Sequence, residues 1–305
     1  MKLVFIINNK NNRLRKVLPG LMDYFQQQYP ARVAFQFTER RKHATELAKN
    51  AVEIGCEYLV AAGGDGTLNE VVNGLLLSER SAEEYPVLGL LPFGSANDFA
   101  RTAGMTSSWE DLNKGIQSGS ARPVDLGRIT LQNTKEVRYF INISGIGLGP
   151  EVVQHMERTR PVLGSSFHYF KSILSGFLSY RKKKVICQSP SWKWEGKLLQ
   201  MAVANGRYFG NAICVAPKAS LSDGQFRVVI FGDLSIWDYI KNLSKLKRGV
   251  RIVHPEVSYH SAKELRLESP DSCGIEADGE YVGHLPASIS ILPGGVRLLM
   301  PPRRN

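Results

Sequence analysis

Tyr58-Leu-Val-Ala-Ala-Gly63-Gly64-Asp65-Gly66-Thr67-Leu68-Asn69-Glu70 decides the architecture of this 305-residue chain. A short apolar run ends at Ala62, and three glycines then surround one carboxylate. Leu68, Val71, Val72, Leu75 and Leu76 recur at i, i+3, i+4, i+7 and i+8, the spacing of an amphipathic helix. Thr67 and Glu70 read as a capping box, with Thr67 capping that helix and Glu70 reaching back to it. A strand, a glycine loop and a helix N-terminus form an anion site. Free N–H groups and the positive end of the helix dipole suit phosphate, and glycine lets a ligand approach the backbone. The plainer alternative is a βα turn whose glycines serve tight geometry alone.

A second copy of the device follows. Val87–Leu91 is an apolar strand, and Pro92-Phe-Gly94-Ser95-Ala-Asn97-Asp98-Phe-Ala-Arg101 comes directly after it. Ser95 with Asp98 again fits the capping pattern. Two such loops about 30 residues apart are what adjacent βα units of one parallel sheet give. Both then open at the carboxyl edge of that sheet, where open α/β folds bind ligands.

Outward from these loops, residues 1–122 alternate strand and helix. Strands are expected at Leu3–Ile7, Val33–Thr38, Tyr58–Ala62 and Val87–Leu91, with helices near 13–28, 41–54, 67–78 and 96–103. That is the pattern of a parallel, doubly wound sheet. From Pro123 the pattern becomes strands punctuated by Gly, Asn and Asp: Asp125–Leu131, Val137–Ile143, Lys184–Ser189, Lys197–Asn205, Phe226–Phe231, Val257–Ser261, Glu264–Glu268 and Ser288–Leu292. An antiparallel β domain over 123–287 is expected, and 288–305 returns to the first domain as C-terminal strands. Two helical interruptions remain, near 165–181 and 235–248. Each is followed by cations, Arg181 to Lys184 in one case and Lys245, Lys247, Arg248 and Arg251 in the other. Both helices are read as packing on the β domain; the alternative is an interfacial helix that dips into lipid.

Composition bounds the function. Hydrophobic residues at 43% and charged residues at 22% are those of a globular protein, and no run approaches the ~20 apolar residues of a membrane span. The apolar start at Leu3–Ile7 is too short for a signal-peptide core. Cys56, Cys187, Cys214 and Cys273 are scattered without a Cys-x-x-Cys pair, and the six histidines form no metal spacing. A reduced, cytoplasmic enzyme is expected. The net charge of +11 suits an anionic membrane surface or simple solubility, since no nucleic-acid-binding motif occurs.

Gly63-Gly-Asp-Gly-Thr67 with Asn69-Glu70, and Leu91-Pro-Phe-Gly-Ser-Ala-Asn-Asp-Phe-Ala-Arg101, resemble the catalytic domain of diacylglycerol and sphingosine kinases, most of all the small bacterial lipid kinases. The likeness continues through Asn142-Ile-Ser-Gly-Ile-Gly147, Asn205-Gly-Arg-Tyr-Phe-Gly210, Ala216-Pro-Lys-Ala-Ser-Leu-Ser-Asp223-Gly224 and Glu276-Ala-Asp-Gly-Glu280, in the family's order. The resemblance implies a Rossmann-like domain of the phosphofructokinase and NAD-kinase kind, followed by an antiparallel β-sandwich. It implies transfer of the γ-phosphate of ATP to the hydroxyl of diacylglycerol, a related glycerolipid, phosphatidylglycerol or a sphingoid base.

No Gly-x4-Gly-Lys-Ser/Thr motif occurs, so the phosphate cradle falls to Gly63, Gly64, Asp65, Gly66, Thr67, Leu68, Asn69 and Glu70, with Ser95 and Asn97 beside them. The family usually has Thr where Ser95 stands. By resemblance Asn8 and Thr38 also touch the nucleotide, although Asn8-Asn9 departs from the family's Asn-Pro. Asp65 would repel phosphate unless a cation bridges them, which argues for Mg²⁺; the alternative is that it only accepts backbone hydrogen bonds within its own loop. By resemblance an acid of Asp278-Gly279-Glu280 is the general base towards the lipid hydroxyl: Glu280 is the family's usual proton acceptor and Asp278 then assists through metal or water, the sequence leaving the choice between the two acids open, while Asp-Gly taken alone is a hairpin turn. Ser220, Asp223 and Gln225 match the family's second metal site for Mg²⁺ or Ca²⁺, or form an Asx turn. Gly210-Asn211-Ala212 departs from the family's glycine run. The implied partners are ATP, a lipid and an anionic membrane touched peripherally, with a homodimer left open. The rival readings are an NAD kinase-type enzyme, which lacks the segment 94–101, and a catalytically inactive nucleotide- or lipid-binding protein.

Overall fold

The computed structural model describes residues 2–78, 80–158 and 180–300. It divides into two compact units, Met1–Leu126 with Pro293–Asn305, and Gly127–Leu292. The helix expected near 165–181 lies almost wholly outside the described residues.

The first unit runs β1 (Leu3–Ile7), α1 (Asn12–Gln28), β2 (Val33–Phe37), α2 (His43–Glu53), β3 (Tyr58–Gly63), α3 (Asp65–Leu76), β4 (Val87–Pro92), α4 (Asp98–Ala103), α5 (Trp109–Ser118) and the start of β5 (Ala121–Leu131). Its strands pair in parallel in the order β2-β1-β3-β4. Every residue of β1 is buried, as in a parallel strand covered on both faces. On one face Leu3, Phe5, Ile7, Val60, Ala62 and Leu91 meet Leu14, Leu21 and Phe25 of α1 and Leu112 and Ile116 of α5. The alternate residues of the pleat point the other way. The sheet is thus doubly wound, as the periodicity predicts. α5 was not foreseen; its cap Ser108 accepts from Asp111 N–H.

The second unit runs β6 (Val137–Phe140), β7 (Ile143–Gly147), α6 (Leu148–Arg158), β8 (Lys183–Gln188), β9 (Lys193–Leu198), β10 (Gln200–Ala204), β11 (Tyr208–Phe209), β12 (Ile213–Cys214), β13 (Phe226–Phe231), α7 (Ile236–Lys247), β14 (Val257–Ala262), β15 (Glu264–Glu268), β16 (Gly274–Ala277), β17 (Glu280–His284) and β18 (Ala287–Leu299). Six strands form one antiparallel sheet in the order β14-β13-β10-β7-β16-β17. A second layer pairs β18 with β15, β15 with β8, and β8 with β9. Phe140, Val185, Leu198, Met201, Val203, Phe226, Val228 and Ile289 fill the space between the layers. This is an antiparallel β-sandwich. The outer face of the six-stranded sheet carries a separate core, in which Leu246 of α7 packs with Ala202, Val229 and Phe231. β18 continues past the sandwich, and its Leu298 pairs in parallel with Leu88 of β4 within the first unit.

Candidate active site

In the first unit the register decides which residues meet. Ile7 pairs with Phe37 and Ala62, and Gly63 pairs with Pro92. Asn8, Thr38, Gly64–Thr67 and the Gly94–Asn97 loop therefore share the carboxyl edge of the sheet. The Asn8 N–H donates to Ala62 O at 2.9 Å and the Thr38 N–H to Ile7 O at 2.9 Å, so each residue closes its strand.

The capping expected within each loop is replaced by bonds between elements distant in sequence. α3 starts at Asp65, two residues before the expected Thr67 cap, and Gly64 is its N-cap. Thr67 Oγ1 instead accepts from Asn8 Nδ2 at 3.2 Å. Glu70 does not reach back to its own helix. Its two oxygens accept the Lys42 N–H at 2.9 Å and the Ala44 N–H at 3.1 Å, capping α2, whose own N-cap residue makes no side-chain hydrogen bond. Ser95 is likewise no cap. Asn97, at φ 52°, precedes α4, and the carboxylate of Asp65 takes the first N–H groups of that helix. Asp98 N–H donates to it at 3.2 Å and Phe99 N–H at 3.1 Å.

The glycines answer to the chain itself. A Cβ on Gly63 would lie 2.4 Å from Thr67 Oγ1, and one on Gly94 would lie 2.5 Å from Gly64 Cα. The two loops thus touch backbone to backbone. Asn97 Nδ2 donates to Gly94 O at 3.0 Å, while its buried Oδ1 makes no hydrogen bond. Ser95 is exposed, Leu68 belongs to the core, and buried Asn69 receives Asn73 Nδ2 on its carbonyl at 2.9 Å.

In the second unit a different edge collects the acids. Ala277 pairs with Ser144, Ile143 with Ala204, and Ala204 with Arg227, so one end of the six-stranded sheet holds the turn 278–279, Asn142, Asn205 and the loop before β13. β16 and β17 are joined by Asp278 and Gly279 at φ 51° and 84°, the pattern of a type I′ turn. The hairpin signal in the sequence is therefore real. It also places chemistry: Asp278 accepts from Ile141 N–H at 2.9 Å, Asn142 N–H at 2.9 Å and Ile143 N–H at 3.0 Å. Asn142 and Asn205 bracket the same backbone, with Asn205 Nδ2 donating to Ile141 O at 2.7 Å and Asn142 Nδ2 to Tyr208 O at 3.0 Å.

Glu276, to which the sequence assigns no role, lies under this turn. It is completely buried, its Oε2 accepts the Gly279 N–H at 2.6 Å, and its Oε1 lies against the Gly145 backbone. Burial pushes its carboxyl up to about 8, with the Gly279 N–H opposing and Asp278 adding to the rise. Three acids in five residues were the available signal.

Ser220, Asp223 and Gln225 lie in the loop before β13, three strands away from β16 and hence about 14 Å at the strand spacing. Asp223 is bound by Arg227 Nη2 at 2.6 Å. The guanidinium holds the Oδ2 of this carboxylate, so Mg²⁺ or Ca²⁺ bound here would share Asp223 with Arg227 or displace it. No three of His, Cys, Asp or Glu gather as metal ligands among the described residues.

Residues 2–129 match the family model of the diacylglycerol kinase catalytic domain, and residues 143–300 that of the YegS C-terminal NAD kinase beta sandwich-like domain. A Bacillus subtilis (strain 168) protein named diacylglycerol kinase is 31% identical over 262 residues, covering 85% of this chain and 82% of its own. An Escherichia coli O6:K15:H31 protein named probable lipid kinase YegS is 26% identical over 269 residues, covering 88% and 86%. A crystal structure of a diacylglycerol kinase from Bacillus anthracis str. Sterne shares the fold at a TM-score of 0.73 and 20% identity, covering 99% of this chain and 97% of its own. With a twin-loop sheet edge, an acid-tipped hairpin and matches of this extent, the chain belongs to the diacylglycerol kinase family of lipid kinases.

Proposed function

We propose that the protein is an ATP-dependent kinase that transfers the γ-phosphate to the hydroxyl of a membrane lipid, either diacylglycerol or a related glycerolipid, phosphatidylglycerol or sphingoid base. The observation that carries this is the Asp65 carboxylate, which ties the two glycine loops together at the carboxyl edge of a parallel sheet. The first intrahelical bond of α3 runs from the Leu68 N–H to Gly64 O at 3.1 Å. The N–H groups of Asp65, Gly66 and Thr67 precede it, and such first-turn donors suit phosphate oxygens. Asn8, Thr38, Ser95 and Asn97 border that edge and would contact the nucleotide.

Asp65 fits Mg²⁺, because this ion takes one or two carboxylates and completes its shell with water and substrate phosphates. Each Asp65 oxygen accepts one N–H and keeps capacity for another partner. When bound, the ion would neutralise charge on the transferring phosphoryl group. Glu280 would accept the lipid hydroxyl proton as the oxygen–phosphorus bond forms and ADP departs with the electron pair of the broken bond. Asp278 is committed to three backbone N–H groups, so its role would be to hold the turn that presents Glu280.

Labelled ATP with Mg²⁺, offered extracted lipids or NAD, tests the reading. Label in an organic-soluble product is expected. Label in NADP would favour the NAD-kinase alternative, and bound ATP with no transfer would favour an inactive binding protein.

A further inference from the structure

Large apolar side chains are exposed unevenly on this chain. Six are exposed among the described residues, and four of them fall between positions 237 and 253: Trp237 at 69%, Ile240 at 47%, Val250 at 49% and Val253 at 96%. The first two lie on α7. At 100° per residue, Trp237, Ile240, Lys241, Ser244 and Arg248 share one face, while Leu246 and Tyr239 take the opposite face into the core beneath. The sequence pattern predicts a helix packed on the β domain, and its inner face is that. The outer face is a second apolar surface, which packing on the domain does not explain.

Its charge says what would cover it. Between Ile236 and Val253 stand Lys241, Lys245, Lys247, Arg248 and Arg251, against one acid, Asp238. Asp238 accepts hydrogen bonds from the Ser235 N–H and hydroxyl in a capping box. Nearby Asp233 is bound by Lys182, and Glu256 accepts the Asp233 N–H. The acids are thus held on the N-terminal side of the helix, while Lys241, Lys245, Lys247 and Arg248 are exposed and Arg251, also exposed, stacks over the Tyr259 ring at 4.1 Å. A second copy meeting this face across a two-fold axis would set five cations against five. An anionic bilayer does the reverse: it attracts the cations and accepts indole and aliphatic groups at the headgroup level. Trp is the residue best suited to that boundary.

We infer that the outer face of α7, with the segment through Val253, is the surface by which this protein docks on an anionic membrane, the helix lying in the plane of the interface. This rests on the lipid-kinase reading for its purpose, since a bilayer-resident acceptor must be met at the bilayer.

Sedimentation with vesicles tests it, using phosphatidylglycerol mixed into phosphatidylcholine against phosphatidylcholine alone. Trp237→Ser with Ile240→Ser keeps the charge and removes the apolar contact. Gln at Lys241, Lys245, Lys247 and Arg248 does the converse. All six residues are exposed, so both variants should fold, with the cation variant melting slightly lower because Arg248 Nε donates to Ser244 O at 3.3 Å. The wild type is expected to pellet with anionic vesicles and to show a blue shift of Trp emission. Each variant should bind at least tenfold less at 0.15 M salt, while phosphorylating a short-chain diacylglycerol in solution as the wild type does. Undiminished pelleting of both variants would overturn the assignment. So would equal pelleting on neutral vesicles, or a mass that grows with protein concentration and is lost in the Trp237 variant, which would make a second copy the occupant. If no lipid is phosphorylated yet docking still depends on Trp237, the kinase reading fails and the surface stands.

Discussion

Asp65 accepts the Phe99 N–H at 3.1 Å across 34 positions of sequence, so the acid of the first glycine loop is also the cap of the helix that follows the second. Asp65→Asn therefore acts twice. An amide has one acceptor oxygen, and its NH₂ would face an N–H donor. A loss of about 1–2 kcal/mol in unfolding free energy is expected, together with turnover below a tenth of wild type, roughly 1.4 kcal/mol of barrier. Thermal melting and steady-state rates check the two parts separately. Turnover above that level would remove Asp65 from the metal role.

Gly94→Ala should push the two loops apart, because its Cβ would meet Gly64 Cα at 2.5 Å and Asn97 Oδ1 at 2.7 Å. The expected outcome is a loss of ATP affinity of at least tenfold by titration. Gly20→Ala is the control. Nothing lies within 4 Å of that position on α1, and a helical Gly→Ala change should stabilise by roughly 0.5–1 kcal/mol.

Glu280→Gln and Asp278→Asn should separate by readout. Glu280→Gln is expected to lower kcat a hundredfold or more, as general-base removal does. Asp278→Asn should lower both kcat and the melting temperature, because its carboxylate serves three N–H groups. Asp278→Asn melting like wild type would contradict its role as anchor.

Glu276 gives the fold a pH dependence. Its carboxyl stands at about 8 in the folded chain against an ordinary 4.5. Between those values the folded chain holds a proton that the unfolded chain has released, so stability falls as pH rises, by up to roughly 1.4 kcal/mol per pH unit, and levels off above. Glu276→Gln should flatten denaturation midpoints over pH 5–8. An unchanged slope would show that another group is responsible.

Ala212→Gly should stabilise. Gly210, Asn211 and Ala212 all have left-handed φ, at 62°, 67° and 71°. A Cβ in that region costs roughly 1–2 kcal/mol, of which glycine's extra chain entropy returns part. A gain of up to about 1 kcal/mol by chemical denaturation is expected, and a loss would mean the side chain packs too well to remove.

The parallel strands were legible because strands buried on both faces read as continuous apolar runs: Leu3–Ile7 carries the predicted bounds, and β3 and β4 differ from theirs by one residue. The sandwich was harder. The run 197–205 read as one strand, yet it ends β9 at Leu198 and starts β10 at Gln200, because the Leu199 N–H turns to Phe231 O and Gly232 O. The caps were misread for a related reason. Thr67 and Glu70 fit a local capping box, but they bond to partners 59 and 26 positions away. Local patterns register that a polar group needs a partner and are blind to which strand end or helix supplies it. Glu276 stayed hidden because burial, not residue type, gives it its chemistry.

Glu70 sits inside the glycine block yet serves the start of α2 through Lys42 and Ala44. In a saturation library selected for activity, Glu70, Gly63 and Gly94 would drop out alongside Asp65 and Glu280, and an intolerance map alone would enlarge the reaction centre to include masonry. Counting surviving protein per cell beside activity would sort the two groups, since losing Glu70 should deplete the folded molecule before it touches the rate of any that remain.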